Sequence, residues 1–318
     1  MRIKFNWVNL LRSQGLLIIL ICIVVYFSVA SPFFLTPQNL LSIASASAAL
    51  GVMAIPQTFL IISGGIDVSV GSVVCLSGVV VGLVAKGGGN VWVGVLLAIC
   101  VGMACGLANG SLVVFLKVNP LIVTLGLMSV FTGLAYMTSQ NLTLIVSDEG
   151  FRQIALANVG GFPVAVMVVL VLFGAAFFVG RATVVGRNIY AMGGNLTAAR
   201  LVGIPTGRYS LVLYACSGLA AGIAGVFVTS QLGAASPQVG TTYMLSVVTA
   251  VILGGASLAG GVGTIWGTLI AVCILGSLQS GFTLLQLSSS TQTMAQGLAL
   301  IVAVLLDQGV RAGKGGVA

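Results

Sequence analysis

The chain is 318 residues long, 58% hydrophobic, and carries 12 basic and 4 acidic side chains. Soluble domains are about 25% charged, so a chain that is 5% charged with a mean hydropathy of +1.20 is excluded from that class and reads as an integral membrane protein. The absence of histidine excludes Ser-His and Cys-His catalysis. The net charge of +8 is spread along the chain rather than gathered into a stripe, which excludes a nucleic-acid groove. No catalytic residue, metal site or bound cofactor is expected. The acids Asp67, Asp148, Glu149 and Asp307 are scattered. Cys22, Cys75, Cys100, Cys105, Cys216 and Cys273 show no Cys-x-x-Cys spacing and read as small buried residues.

A bilayer core of about 30 Å takes about 20 helical residues. On that ruler the apolar runs at 16–30, 40–62, 68–85, 91–116, 121–138, 162–179, 209–231, 241–253, 265–285 and 291–306 predict about ten transmembrane helices. The first run follows Arg2, Lys4 and Arg12 and ends on Ser28-Val29-Ala30, which imitates a signal peptide; the nine apolar runs behind it favour an uncleaved span. With both termini cytoplasmic, ten cations fall inside (Arg2, Lys4, Arg12, Lys117, Arg181, Arg187, Arg200, Arg208, Arg311, Lys314) and two outside (Lys86, Arg152), as the positive-inside bias requires.

Pro56-Gln57-Thr58 inside the second run implies a kink with polar groups facing protein or a cavity, which makes Gln57 a candidate for lining a path. Two glycine-rich stretches, Gly64-Gly65-Ile66-Asp67-Val68-Ser69-Val70-Gly71 and Gly254-Gly255-Ala256-Ser257-Leu258-Ala259-Gly260-Gly261, form a weak internal repeat. The 13-residue run 241–253 reaches only about 20 Å, too short to cross as a regular helix. Broken helices at matching places in two halves mark a translocation pathway; the plainer reading is a pair of turns between ordinary spans. Asp67 lies closest to the middle of the apolar mass and reads either as a cap, with Ser69, for a helix starting near Val68 or as an ion-coupling or gating group.

Gly102-x-x-x-Gly106-x-x-x-Gly110, Gly218-x-x-x-Gly222 and Gly263-x-x-x-Gly267 predict close helix packing, within the chain or with a second copy. The loop at about 180–208 is cationic and free of acids. In it Asn195 is placed to cap a short helix through Val202, stopped by Gly203 with Pro205 beyond. Leu196, Ala199 and Val202 recur every three residues and would present one apolar side to a partner's groove, unless the loop simply lies on acidic lipid. Gly309-x-x-x-Gly313-Lys314-Gly315 is one residue too short for a phosphate-binding loop and lacks its Ser or Thr. ATP is therefore expected on a separate chain.

The run Ile62-Ser63-Gly64-Gly65-Ile66-Asp67-Val68-Ser69-Val70-Gly71-Ser72 closely resembles the signature of the ribose-type, monosaccharide permeases of ABC importers. The resemblance continues through Val118-Asn119-Pro120 with Thr124-Leu125-Gly126 and through Gly186-Arg187-Asn188-Ile189-Tyr190-Ala191-Met192-Gly193-Gly194-Asn195 with Ala198-Ala199 and Gly203-Ile204. It ends in Val251 to Gly261. It implies one permease domain over 1–318, in the bacterial inner membrane, working with a second permease copy or paralogue, an ATP-binding cassette subunit and a periplasmic binding protein. Beside Gln57 of the kinked second run, the pathway or gating candidates within or beside these motifs are Gly64, Gly65, Asp67, Ser69, Asn119, Thr124, Gly254, Gly255 and Ser257. ATPase coupling would fall to Arg187, Asn188, Gly193, Gly194, Asn195, Leu196, Ala198, Ala199, Arg200, Val202 and Gly203. Many members carry Glu-Leu-Asp where this chain has Met244-Leu245-Ser246, and the Met-containing version is more similar to one of two unlike permeases in autoinducer-2 importers, which implies a heterodimer. An ion-coupled secondary transporter is the rival class; it would normally hold ionisable groups mid-span, and only Asp67 comes near.

Overall fold

The structure, a computed structural model, describes residues 7–315, with the side chains of 7–14, 241, 302–303 and 305–315 left aside. Arg2 and Lys4 of the cation tally lie outside the described residues, as do the side chains of Arg12, Asp307, Arg311 and Lys314. The elements run α1 Trp7–Ala30, α2 Pro37–Ala46, α3 Ala48–Ile62, α4 Val70–Lys86, α5 Val91–Phe115, α6 Pro120–Ser139, β1 Leu144–Ile145 and α7 Glu149–Leu156. They continue with β2 Asn158–Val159, β3 Phe162–Pro163, α8 Val164–Ala182, α9 Val184–Gly194, α10 Leu196–Leu201, α11 Thr206–Leu232, β4 Ala234–Ala235, α12 Thr241–Leu253, α13 Ile265–Leu284 and α14 Ser289–Gly315.

Helix starts obey local chemistry. The side chains of Thr36, Asn90, Asn119, Asp148, Thr183, Asn195 and Thr264 each accept a backbone N–H in the first turn of the helix they precede. Among the described residues five helices, α5, α6, α8, α11 and α13, are long and apolar enough to cross a bilayer. The pair α2 and α3, bent by 44° at Ser47, makes a sixth. The rest of α1 from Gly15, together with α4 and the part of α12 from Thr242, is apolar but shorter. The end of α1 is built into the bundle: Phe27 is buried, stacks on Phe34 at 5.4 Å and meets Phe282 of α13 edge-on at 5.8 Å.

The centre is α3, α4, α5 and α11. Two of the three glycine repeats predicted to pack do so between helices within the chain; the third does not, because Gly263 lies ahead of α13, against Ile62 and Ala256. A Cβ on Gly102 would meet the Gly218 carbonyl and Gly222, one on Gly106 the Tyr214 carbonyl and Gly218, so α5 and α11 touch backbone to backbone. Along α4, Gly78 lies against Thr229 of α11, and Gly82 lies under Leu144 and Ala235. Those two residues belong to the antiparallel pair β1 and β4, in the register Leu144↔Ala235. A second small ribbon pairs β2 with β3. Of the six cysteines, Cys75 and Cys105 are buried as expected, whereas Cys22, Cys100, Cys216 and Cys273 are exposed on outward helix faces; all six are free thiols. A cysteine in an apolar run costs little on a face turned to lipid, so apolar context does not by itself say buried.

Candidate functional site: the Asp67 crossing and the glycine node

The first glycine stretch begins as a helix stop. At the end of α3 the Gly64 N–H donates to the Ile61 carbonyl at 3.0 Å, and the Gly65 N–H reaches back to Leu60 at 2.9 Å. Gly64 is left-handed at φ +87°, which makes this a Schellman closure that glycine alone enters without strain. Residues 65–68 then run without regular structure to α4. Ile62 accepts a bond from Gly261, beyond the end of α12, while Gly71 lies against Gly240 and Met244 at the start of α12. The connection therefore climbs much of the height of α12's 13 residues, about 20 Å at 1.5 Å each.

Asp67 fixes this crossing. Its side chain is 1% exposed. Oδ1 accepts the Ser69 N–H at 2.9 Å, the Ser69 hydroxyl at 2.7 Å and the Asn109 amide at 3.4 Å, while Oδ2 accepts the Ser217 hydroxyl at 2.8 Å. Asn109 also donates to Ser69 Oγ at 2.7 Å, and the Tyr214 hydroxyl donates to the Ile66 carbonyl at 3.1 Å. Asn109 comes from α5 and Ser217 and Tyr214 from α11, so one carboxylate ties the crossing to two packed helices. Ser217 stands roughly 16 Å along α11 from Thr206, which puts the carboxylate deep in the bundle rather than at its edge.

This corrects the capping expectation. Asp67 does accept a backbone N–H, but that of Ser69, which precedes the helix; Ser69 itself is the N-cap of α4 and its side chain makes no cap bond. The carboxylate works chiefly as a cross-link. Sequence reading missed Asn109, Tyr214 and Ser217; the one available signal was a lone amide and two hydroxyl groups inside apolar runs that also hold the glycine repeats.

The second stretch closes in the same way. Gly255, at φ +89°, donates to Ile252 at 2.9 Å, and Ala256 to Val251 at 3.1 Å. It then folds on itself through Ser257 N–H to the Val262 carbonyl at 2.9 Å and Gly260 N–H to the Ser257 carbonyl at 2.8 Å. Gly254 packs on the start of α13 at Gly267 and Thr268. The equivalence of the two stretches is therefore Gly64 with Gly255, one residue away from the pairing that the sequence suggests, and Leu258, 48% exposed, stands where Asp67 stands in the first. This break is a compact turn and not a crossing.

The two stretches meet on α9. A Cβ on Gly193 would run into the Ile62 carbonyl and the Gly261 N–H. Gly260, at φ +82°, lies against Gly193 and Gly64. The Tyr190 hydroxyl donates to the Gly263 carbonyl at 2.7 Å, and Gly186, Ile189 and Met192 are buried. α9 is thus a rod wedged against both breaks, while Arg187 is exposed and Asn188 reaches Tyr209 of α11 at 2.8 Å.

α10 comes next, as the sequence predicts, with Asn195 accepting the Ala198 N–H at 3.0 Å and Gly203 left-handed at φ +83°. Its predicted apolar side is corrected. Ala199 is only 3% exposed and faces inward, because the helix lies down on the bundle. The outward apolar residues are Leu196, Leu201 and Val202, the last two 84% and 76% exposed. Gly194 and Ala198 are also exposed, and Arg200, likewise exposed, donates from Nε to Thr206 at 3.2 Å. Two pathway candidates are not brought to the crossing. Asn119 is an exposed cap for α6, accepting the Leu121 N–H at 2.9 Å. Thr124 is buried one turn further on and bonds its own helix at Pro120. Gln57 is fully buried in α3, directly after Pro56.

A packed apolar bundle whose interior holds a non-helical segment tied by a buried carboxylate to two helices has the build of a polytopic membrane transport subunit. The chain belongs to the family described as branched-chain amino acid transport system / permease component, whose pattern matches residues 39–305. It is 36% identical over 309 residues to the ribose import permease protein RbsC of Bacillus subtilis, covering 96% of this chain and 95% of that one. It is 35% identical over 300 residues to the L-arabinose ABC transporter permease protein AraH of Azospirillum brasilense, covering 94% and 88%. The autoinducer 2 import system permease protein LsrD of Escherichia coli O9:H4 is 33% identical over 312 residues, covering 96% and 93%. No solved structure matches the chain. The chain is a permease subunit of an ABC importer and not an enzyme.

Proposed function

We propose that this chain carries a monosaccharide or a similar neutral, sugar-like molecule into the cytoplasm as the membrane subunit of an ATP-driven importer. The observation that carries the reading is the identity to ribose and arabinose permeases over nine-tenths of the chain. The single permease domain spans 1–318. It crosses the inner membrane ten times with both termini cytoplasmic, counting α2 with α3 as one span and α1, α4, α12 and α14 as spans alongside the five long ones. α4 is shorter because the Asp67 crossing precedes it, and α12 because it begins level with Gly71.

The partners are an ATP-binding cassette subunit that holds the nucleotide, an external binding protein that delivers the solute, and a second permease copy. α10 presents Leu196, Leu201 and Val202 to the ATPase. Its movement passes through α9 and the Gly193 contact to the ends of α3 and of the 254–264 turn, so that the crossing opens alternately to either side. The identity to LsrD, together with Met244 and Ser246 where many members carry acids, supports a second reading, an autoinducer-2 permease paired with an unlike partner.

Leu201→Glu in α10 tests the lever. Inserted, folded protein is expected at wild-type amount because the side chain is exposed. The ATPase should no longer co-purify, and ATP-dependent uptake of labelled ribose into vesicles should fall at least tenfold. Normal co-purification with normal uptake would overturn the coupling assignment. Uptake by the permease in vesicles without any ATPase, driven by an ion gradient, would overturn the importer reading.

A further inference from the structure

Gln57 is the buried polar group that the fold leaves most poorly served. It is 0% exposed, and among the described residues neither Oε1 nor Nε2 has a hydrogen-bond partner. A carboxamide offers two donors and an acceptor, and burying all of them unpaired is unfavourable. The neighbouring polar groups show what this bundle does for groups it uses as struts. Thr58 donates to the Ala54 carbonyl at 2.6 Å and meets Thr268 of α13 at 2.9 Å, and the Asn109 amide pairs twice through its nitrogen, leaving only its oxygen unpartnered. The unpartnered hydroxyl groups of Ser47, Ser77 and Thr249 belong to side chains that reach helix carbonyls by one χ1 rotation, which a glutamine does not do.

Direction and deformability point the same way. At 100° per residue Gln57 is turned about 100° away from Thr58, hence away from α13, and toward the side of Leu60. Leu60 is the residue against which Gly65, at the start of the crossing, is packed. Pro56 removes the N–H that would bond the Val52 carbonyl, so α3 is weakest one residue before Gln57.

We infer that Gln57 is a solute-contacting residue: when α3 and the 65–68 crossing separate during transport, its amide exchanges hydrogen bonds with hydroxyl groups of the passing neutral polyol. An uncharged group that both donates and accepts matches hydroxyl groups, which do the same. The inference rests on the importer reading and deepens it.

The test uses the whole importer, permease pair with ATPase and binding protein, in vesicles supplied with ATP and labelled ribose or arabinose. Gln57→Leu removes the unpaired amide at similar volume. The melting temperature of the purified complex is expected to hold or rise and the ATPase to remain bound, while maximal uptake falls at least tenfold; Gln57→Asn, which keeps the amide, restores part of it. Uptake by Gln57→Leu within twofold of wild type would overturn the inference alone. So would a lowered melting temperature with uptake falling only in proportion to folded protein, the mark of a structural strut. If wild-type vesicles take up neither ribose nor arabinose nor another neutral polyol, the importer reading and this inference fall together.

Discussion

At 64–71 the backbone leaves α3 through a left-handed glycine and climbs through the interior of the bundle, whereas at 254–261 it leaves α12 through an equivalent glycine and folds back on itself. The two helix stops share φ values within two degrees, +87° and +89°, and the same pattern of bonds back into the helix. They diverge three residues later, at Asp67 and Leu258. A buried carboxylate with four donors, two from Ser69 and one each from α5 and α11, has to stay where those helices reach it, and so it holds the chain inside. A leucine with no polar demand is left half-exposed, and the loop is free to close through Ser257 and Val262. Glycine sets the stop; the next polar group and its partners set the path of the chain beyond it.

The largest effect is expected where the two regions touch. A Cβ on Gly193 would run into both the Ile62 carbonyl and the Gly261 N–H that bonds it, backbone that does not swing aside. Gly193→Val should leave little folded protein, and even Gly193→Ala should cost about 3 kcal/mol through overpacking. Gly194→Ala, with open space around its Cβ position, is the control and should stay within about 0.5 kcal/mol of wild type. Size-exclusion yield and thermal melting of the purified protein check this. Equal yields for Gly193→Ala and Gly194→Ala would mean that α9 does not bear on both breaks at once.

Next comes the anchor that sets the regions apart. Asp67→Ala leaves the Ser69 N–H and the hydroxyl groups of Ser69 and Ser217 buried without their acceptor, while the Asn109 amide keeps only Ser69, at about 3 kcal/mol in all. Asp67→Asn keeps one acceptor oxygen, and the Ser217 hydroxyl can turn to accept from the new amide, so the cost is about 1 kcal/mol with modestly lowered uptake. Melting temperature and uptake per folded molecule separate the cases. Abolished uptake in Asp67→Asn at normal melting temperature would show that the charge itself acts in transport, in favour of the ion-coupled class.

Much of this was legible in the sequence where the cause is local. Asn195 with Gly203 defined α10, and the glycine spacing marked α5 and α11 as close-packing helices, though not as each other's partner. The glycine stops at Gly64 and Gly255 are short-range chemistry as well. The meeting of Gly193 with Ile62 and Gly261 joins residues more than sixty positions apart and has no periodicity to betray it. The Asp67 partners are likewise 42 and 150 positions away, and a lone Asn109 in an apolar run looks the same whether it pairs with a carboxylate or with nothing. Ala199 was misjudged because a three-residue spacing defines a side of a short helix but not which side lies down on the bundle.

The smallest effect sharpens the comparison most. Gly64→Ala and Gly255→Ala place the same methyl group at the same left-handed φ, and at neither position does the new Cβ meet any atom within 4 Å. The strain of an L-residue in that region, about 1 to 2 kcal/mol, is therefore common to both, and the two variants should melt at nearly the same temperature, somewhat below wild type. Relief of that strain rotates the residues downstream. After Gly255 the rotation is absorbed in a turn closed by its own backbone bonds, so uptake per folded molecule should be unchanged. After Gly64 it displaces the crossing and the oxygens of Asp67, whose bonds to Ser69 and Ser217 at 2.7 and 2.8 Å leave little slack, so uptake should fall several-fold. Paired measurement of melting temperature and ATP-driven uptake reads the difference with stability held constant. Equal uptake in the two variants would mean that the crossing carries no more of the transport than the turn does, and the functional distinction between the two regions would be lost.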